Sequence, residues 1–361
     1  MFQTNISKVT NNVLDWSKLE RDAETVCRPV SLDVRTVCES ILVLLPNRDD
    51  EATVELMVVV SPHVPPSLFL DETYIHRILM NLLSNALKFT RSGYILLLIE
   101  MENGQLVATV RDTGCGVPPS FLPQLFEPFK QAQTRGSQRG TGLGLSIVKQ
   151  LLHKMEGDIE VDSRHPETGE VGPDQSGSTF RIKIPLSTSS QNEPSSPRIS
   201  PRVAIFRGNG DSGRSIEGLQ VAWEKFEFEA VVVETFSDLS GSDWKYIWVD
   251  IHFLKQNREC LHQLLEQDKW LVLVPYETQE SLHQVPGLLS ASRFILLQKP
   301  LIWHSFKQRI AASSQVSNKI MPARPARFAP KVEVLDQDDK EQPQESTAKN
   351  RLILLVEDNS V

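Results

Sequence analysis

Asn81, Asn85 and Lys88 recur at i, i+4 and i+7 within Asp71 to Thr90, DETYIHRILMNLLSNALKFT. On a helix they share one stripe, about 120° from the middle of the apolar stripe of Ile75, Ile78, Leu79, Leu82, Leu83, Ala86 and Leu87. Two amides and an ammonium in line at the edge of a buried face suit a magnesium ion and phosphate oxygens. Asn offers the ion a hard carbonyl oxygen, and Lys offers phosphate a point charge. The same stripe is more often just the solvated side of an amphipathic helix. Asp71 is a fair N-cap for this helix, although Tyr74 is not the Glu or Gln of a capping box.

Further along, Asp112-Thr113-Gly114-Cys115-Gly116 ends a strand-like run, Leu106 to Arg111. A carboxylate at a strand end, followed by glycines that let the chain turn tightly, suits an N–H donor ligand. Asp-Thr-Gly turns are also common in ordinary loops. Gly140, Gly142 and Gly144 stand just before a helical stretch, Leu145 to Leu152. Glycines let backbone amides approach phosphates, and the helix N-terminus adds a favourable partial charge. No Gly-Lys-Ser/Thr follows, so this is not a Walker loop, and such a cluster is also an ordinary helix cap. The long segment between Gly116 and Gly140 carries Phe126 and Phe129 as apolar anchors and ends in QAQTRGSQRG. A loop of that length is more often functional than accidental.

The asparagine helix, DTGCG, LFEPF (125–129), GTGLGLSIV (140–148) and GSTF (177–180), in this order and spacing, resemble the ATP-binding domain of sensor histidine kinases. The resemblance implies ATP and Mg2+ as ligands. Asn85 would hold the magnesium that bridges the phosphates, with Lys88 nearby and Asn81 helping. Asp112 would accept a hydrogen bond from the adenine amine at the turn of Gly114 and Gly116. Gly140, Thr141, Gly142, Leu143 and Gly144 would close on the phosphates, the phenylalanine segment would be the ATP lid, and Thr179 would line the adenine pocket. Tyr74 and Arg77 depart from the Arg and Gln common in the family, off the ligand stripe.

The elements that must position these residues read as an α/β sandwich over 30–187. Strands are expected at 52–60, 94–100, 105–111, 157–162 and 180–185, with helices at 31–45, 71–88 and 143–154. Asn103-Gly104 is a hairpin turn between the second and third strands. The result is a mixed sheet covered on one side by helices. Residues 188–202, TSSQNEPSSPRISPR, read as a linker. From 203 to 313, five short apolar strands alternate with helices, which implies a doubly wound parallel sheet.

This second region resembles a degraded response-regulator receiver. Arg207-Gly208 stand where the receiver pattern asks for metal-binding acids, and Pro275-Tyr276 where Thr or Ser follows the fourth strand. Lys299-Pro300 match the pattern, and Asp250 matches the phospho-accepting position. Phosphoryl transfer to Asp250 needs a metal that an Arg does not hold, so a regulatory or spacing role is the expectation. Residues 314–350 read as a disordered linker. LILLVEDNSV then resembles the opening of a genuine receiver, with Glu357 and Asp358 as its magnesium ligands.

The chain has 361 residues, 40% hydrophobic, with net charge −8. That balance argues against a general nucleic-acid binder or a basic membrane-surface protein. Cys27, Cys38, Cys115 and Cys260 form no CxxC pair, which favours a reduced, cytoplasmic setting over a disulfide framework or zinc site. No run is long enough to span a bilayer. Residues 1–29 resemble the tail of a dimerisation helix in the same family, while the acceptor-histidine box of the preceding helix is absent.

The reading is therefore a fragment of a hybrid histidine kinase of the kind common in fungi, with a His-phosphorylating activity whose acceptor this chain lacks. Its partners would be the dimerisation helices, receiver domains and His-phosphotransfer proteins of the intact enzyme. The rivals are a non-kinase ATPase of the same superfold and a nucleotide-binding scaffold. The superfold ATPases need a catalytic Glu early in the asparagine helix, where position 81 is Asn.

Overall fold

The computed structural model describes residues 27–45, 53–132, 141–166, 175–186, 200–207, 214–240, 243–267, 269–290 and 293–302. The expected dimerisation-helix remnant up to residue 26, Gly140 with the end of the lid, the 314–350 segment and the Glu357–Asp358 pair lie outside these residues.

The first part carries strands β1 (Val30–Leu32), β2 (Thr53–Val60), β3 (Leu68–Leu70), β4 (Ser92–Glu102), β5 (Gln105–Asp112), β6 (Asp158–Arg164) and β7 (Gly177–Pro185). Helices α1 (Val34–Leu44), α2 (Glu72–Phe89) and α3 (Gly144–Lys154) pack on the sheet. Asp71 starts α2 by accepting the Tyr74 N–H at 3.0 Å, and its other oxygen accepts the Arg28 N–H at 2.9 Å. The Asn103-Gly104 turn joins β4 to β5 with both residues at positive φ, 49° and 78°, as a two-residue hairpin requires. β1 and β3 pair antiparallel as a separate ribbon of three residues each, too short to give a periodic sequence signal.

The second part carries β8 (Arg202–Phe206), β9 (Glu229–Val233), β10 (Trp244–Trp248), β11 (Leu271–Tyr276) and β12 (Phe294–Gln298). All pairings are parallel, in the order β12-β11-β10-β8-β9. Helix α4 (Arg214–Lys225) lies on one face of this sheet. Helices α5 (Ile251–Gln256), α6 (Arg258–Glu266) and α7 (Gln279–His283) cover the other. The protein is thus α/β in both parts, a helix-covered mixed sheet followed by a doubly wound parallel one.

Cover on one side only does not hold for the mixed sheet. Val58, Val60, Ile95, Leu97 and Ile99 face α2 and α3, while Met57, Val59, Tyr94, Leu96 and Leu98 pack against α4. Trp223, fully buried, anchors the middle of that second layer. A strand buried on both faces needs a continuous apolar run, and β4 supplies one in Tyr94-Ile95-Leu96-Leu97-Leu98-Ile99. After β12 the chain crosses over, and a short strand β13 (Leu301–Ile302) pairs with Met57 and Val58 at the edge of the mixed sheet.

The fourth strand of the parallel sheet also runs further than expected. Pro275 and Tyr276 belong to β11, with Tyr276 buried, so the first residue past the strand is Glu277.

Candidate functional site

Helix α2 lies between two glycine turns. At its C-terminal end, the Cys115 N–H donates to the Phe89 carbonyl at 3.3 Å, which seats the Asp112–Gly116 turn on the last turn of the helix. Asp112 is buried and accepts the Gly114 N–H at 2.8 Å. Thr113 pins the same turn to β4 by accepting the Tyr94 N–H at 2.9 Å and donating to the Ser92 carbonyl at 2.9 Å. Ser176, also buried, donates to the Gly114 carbonyl at 2.8 Å.

At the middle of α2, the second glycine turn meets Asn81. Its Nδ2 donates to the Arg77 carbonyl at 2.9 Å, and its Oδ1 would lie 3.0 Å from any Cβ placed on Gly144. Gly144 opens α3, and Leu143 before it gives no side-chain cap. The first-turn amides of α3 are left to other acceptors, as suits an anion. Gly142 sits at φ 72°, and a Cβ there would come within 2.8 Å of the Lys130 carbonyl oxygen. Only glycine fits that approach. It allows the Gly142 carbonyl to accept the Phe129 N–H at 3.0 Å, closing the base of the phenylalanine segment onto the turn.

That segment is anchored unequally. Leu125 is buried and Phe126 packs partly against the main core under the Lys149 ammonium, while Phe129 is exposed. Its first residue is held too, because Ser163 on β6 accepts the Val117 N–H at 2.7 Å.

Asn85 and Lys88 lie along α2 between the two turns. Asn85 is half-buried, and burial lowers the Lys88 ammonium from its ordinary value. Among the described residues no group of three His, Cys, Asp or Glu side chains could hold a metal ion. A neutral amide fits an ion that arrives already chelated by phosphates, the usual mode for magnesium.

The register of β7 bears on one sequence expectation, that Thr179 lines the adenine pocket. Thr179 pairs across from Arg111, while Ser178 pairs across from Asp112. Side chains alternate along a strand, so Thr179 projects from the sheet face opposite Asp112, and Ser178 shares the Asp112 side. Ser178 is buried and lies 3.2 Å from the Ser163 hydroxyl. Phe180 gives the clue that was available in the sequence: it must face the core, so the residue two before it does as well.

Residues 70–188 match the family profile described as histidine kinase-, DNA gyrase B- and HSP90-like ATPase, HATPase_c. This segment is an HATPase_c domain. The chain is 35% identical over 179 residues to the sensor protein TorS of Escherichia coli, a stretch covering 49% of this chain and 18% of TorS. It is 37% identical over 182 residues to the sensor histidine kinase RcsC of the same species, covering 50% and 18%. Hybrid signal transduction histidine kinase A of Dictyostelium discoideum is 36% identical over 193 residues, 49% of this chain and 8% of that protein. The chain therefore spans a small part of the length of these relatives.

Beyond the HATPase_c segment, the likeness is one of fold. Full-length ShkA, solved in complex with AMPPNP, superposes with a TM-score of 0.65 at 24% identity, covering 90% of this chain and 64% of that one. No helix among the described residues is long and apolar enough to cross a membrane.

In the parallel-sheet domain, Asp250 caps α5 by accepting the His252 N–H at 2.8 Å, and its other oxygen lies 3.2 Å from the Lys299 ammonium. Glu277 is 3.5 Å from the same ammonium. Burial alone would lower the Lys299 pKa, but the Glu55, Asp250 and Glu277 carboxylates outweigh it and hold it above its ordinary value.

Proposed function

We propose that the HATPase_c domain binds Mg-ATP and, in a hybrid histidine kinase of fungal type, delivers its γ-phosphoryl group to a histidine of a two-component phosphorelay. What carries the reading is the seating of both glycine turns on α2, one at Phe89 and one at Asn81, with Asn85 and Lys88 between them. In this reading Asp112 takes the adenine amine, and Ser178 supports it from the facing strand. Gly114 and Gly116 shape the adenine turn. Gly142 and Gly144 present amides to the phosphates, and Leu143, whose N–H donates to the Thr141 hydroxyl at 3.3 Å, holds the turn between them. Asn85 offers magnesium its carbonyl oxygen, and the ion spreads the negative charge of the phosphates.

The protein partners are the dimerisation helices bearing the acceptor histidine, then receiver and His-phosphotransfer domains, all in a cytoplasmic setting. The parallel-sheet domain is a receiver-like unit without the metal acids of a receiver, since Arg207 follows its first strand.

Isothermal calorimetry of the full chain with ATP tests the first step, and micromolar to millimolar binding is expected. Labelled ATP and a separately supplied pair of dimerisation helices test the second through acid-labile, base-stable phosphohistidine on the helices. Absence of any heat of binding with millimolar Mg-ATP would end the reading at its root.

A further inference from the structure

Glu55 stands on the α4-facing side of β2, in line with Met57 and Val59, so a carboxylate sits beside an apolar run on that face. A buried charge persists only where it is paired. The partner comes from the other domain: the Lys299 ammonium lies 3.0 Å from Glu55, with side-chain exposures of 15% and 17%. Lys299 thus collects Glu55 from the mixed sheet together with Asp250 and Glu277 from the parallel-sheet domain.

We propose that the acidic pocket around Asp250 is a docking socket for the ATP-binding domain, filled by Glu55, with Lys299 as the clasp between the two domains. Glu55 reaches the ammonium as an acceptor fixed in the same chain. Asp250 then has one oxygen engaged by the His252 N–H and the other by Lys299.

Three independent features fit a surface built for this docking. Gly218 on α4 lies directly on the mixed sheet, where a Cβ would come within 2.5 Å of Met57 Cε and 2.7 Å of Tyr94 Cγ. The rim is charge-complementary: Arg111 pairs with Glu217 and Lys225 with Glu100, each linking one domain to the other. These rim pairs are more exposed, so the Lys299–Glu55 pair carries more of the specificity. Finally, β13 begins two residues after Lys299 and adds itself to the edge of the mixed sheet, so the clasp and the crossing strand form one continuous feature.

Hydrogen exchange of the full chain, read by mass spectrometry, tests the clasp. Lys299→Met strands Glu55 as an unpaired buried charge. Exchange in peptides covering β2 and β13 is expected to rise at least tenfold, with peptides of β10 and β11 keeping their protection. Glu55→Gln together with Lys299→Met removes both charges, and most of the lost protection should return. Unchanged exchange at β2 in Lys299→Met overturns the proposal. So does loss of protection confined to β10 and β11, which would make Lys299 a prop of its own domain.

If Lys299→Met does not fold, Glu55→Gln alone serves, since it weakens the clasp without leaving a buried charge on β2. A rise of severalfold in exchange at β13 supports the clasp, and none overturns it. The readout involves no nucleotide, so it stands or falls apart from the ATP reading.

Discussion

Asp112 and Ser178 lie directly across from each other on β5 and β7, on the side of the sheet that faces α2 and α3. The neighbouring cross-strand pair, Arg111 and Thr179, projects to the opposite side. Under the proposed ATP reading, adenine recognition would fall to Asp112 and Ser178, which share one face. Asp112→Asn exchanges a charged acceptor for a neutral amide, and a lost hydrogen bond of that kind costs about 1.5–3 kcal/mol, or about 10–150-fold in affinity. Ser178→Ala should cost a few-fold, and Thr179→Ala should change nothing beyond error. Calorimetry on the three variants with ATP checks the order, and a Thr179→Ala effect equal to that of Asp112→Asn would show the face assignment to be wrong.

Asn85 is expected to act through the metal. In wild type, ATP should bind more tightly with magnesium than with EDTA present. In Asn85→Ala that difference should shrink by about tenfold, while metal-free affinity stays close to wild type. Circular dichroism controls for folding, because Asn85 is on the partly exposed side of α2. Equal loss with and without magnesium would move Asn85 from metal binding to helix packing.

Cys115 places a chemical reporter inside the Asp112–Gly116 turn, where the proposed reading puts adenine. The residue reaches solvent, its N–H is bonded to Phe89, and partial desolvation of the thiol within the turn, together with the Asp112 carboxylate, raises it above the usual range. Iodoacetamide should label it slowly at neutral pH and faster as pH rises, because the thiolate is the nucleophile. Saturating Mg-ATP should slow that labelling at least severalfold, as read by peptide mass spectrometry. Labelling of Cys260, on α6 in the other domain, should be unchanged by nucleotide. Equal rates at Cys115 with and without ATP would place the nucleotide elsewhere.

Much of this site was legible because glycines and amides carry chemistry at fixed spacing. The Asp71 cap, the Asn103-Gly104 hairpin and the order of strands and helices follow from local rules, which sequence displays directly. Three things did not follow locally. Thr179 and Ser178 are adjacent residues, and choosing between them requires the register of β7 against β5, fixed by a pairing distant in sequence. β1, β3 and β13 have two or three residues each, too few for a pattern to repeat. The docking of α4 was signalled by two details of composition: the unbroken apolar run of β4 and the lone Glu55 on a hydrophobic strand. Their meaning depends on a partner domain far downstream, for Lys299 lies 244 residues after Glu55.

Cys38 gives a test of the fold that is independent of any ligand. It faces the core from α1 beside Val37 and Ile41 and is fully buried. Burial pushes its thiol from 9.0 up to about 12, with Glu39 and Asp33 adding to the rise and Arg35 opposing it. The unfolded thiol ionises first as pH rises, so the folded chain holds a proton that the unfolded chain has released. The stability tied to Cys38 is complete below about pH 9 and is lost progressively up to about pH 12. By pH 10 the loss is about 1.4 kcal/mol, one pH unit above the unfolded value. Tyrosines and lysines also titrate in this range, so the comparison must be with Cys38→Ala, which keeps those groups and removes only the thiol. Urea unfolding at pH 8 and pH 10 should show the variant less stable at pH 8, by about 1 kcal/mol for the lost contacts. The gap should close or reverse at pH 10. Parallel pH slopes for the two proteins would mean that Cys38 ionises equally in both states, which a sealed core under α1 does not allow.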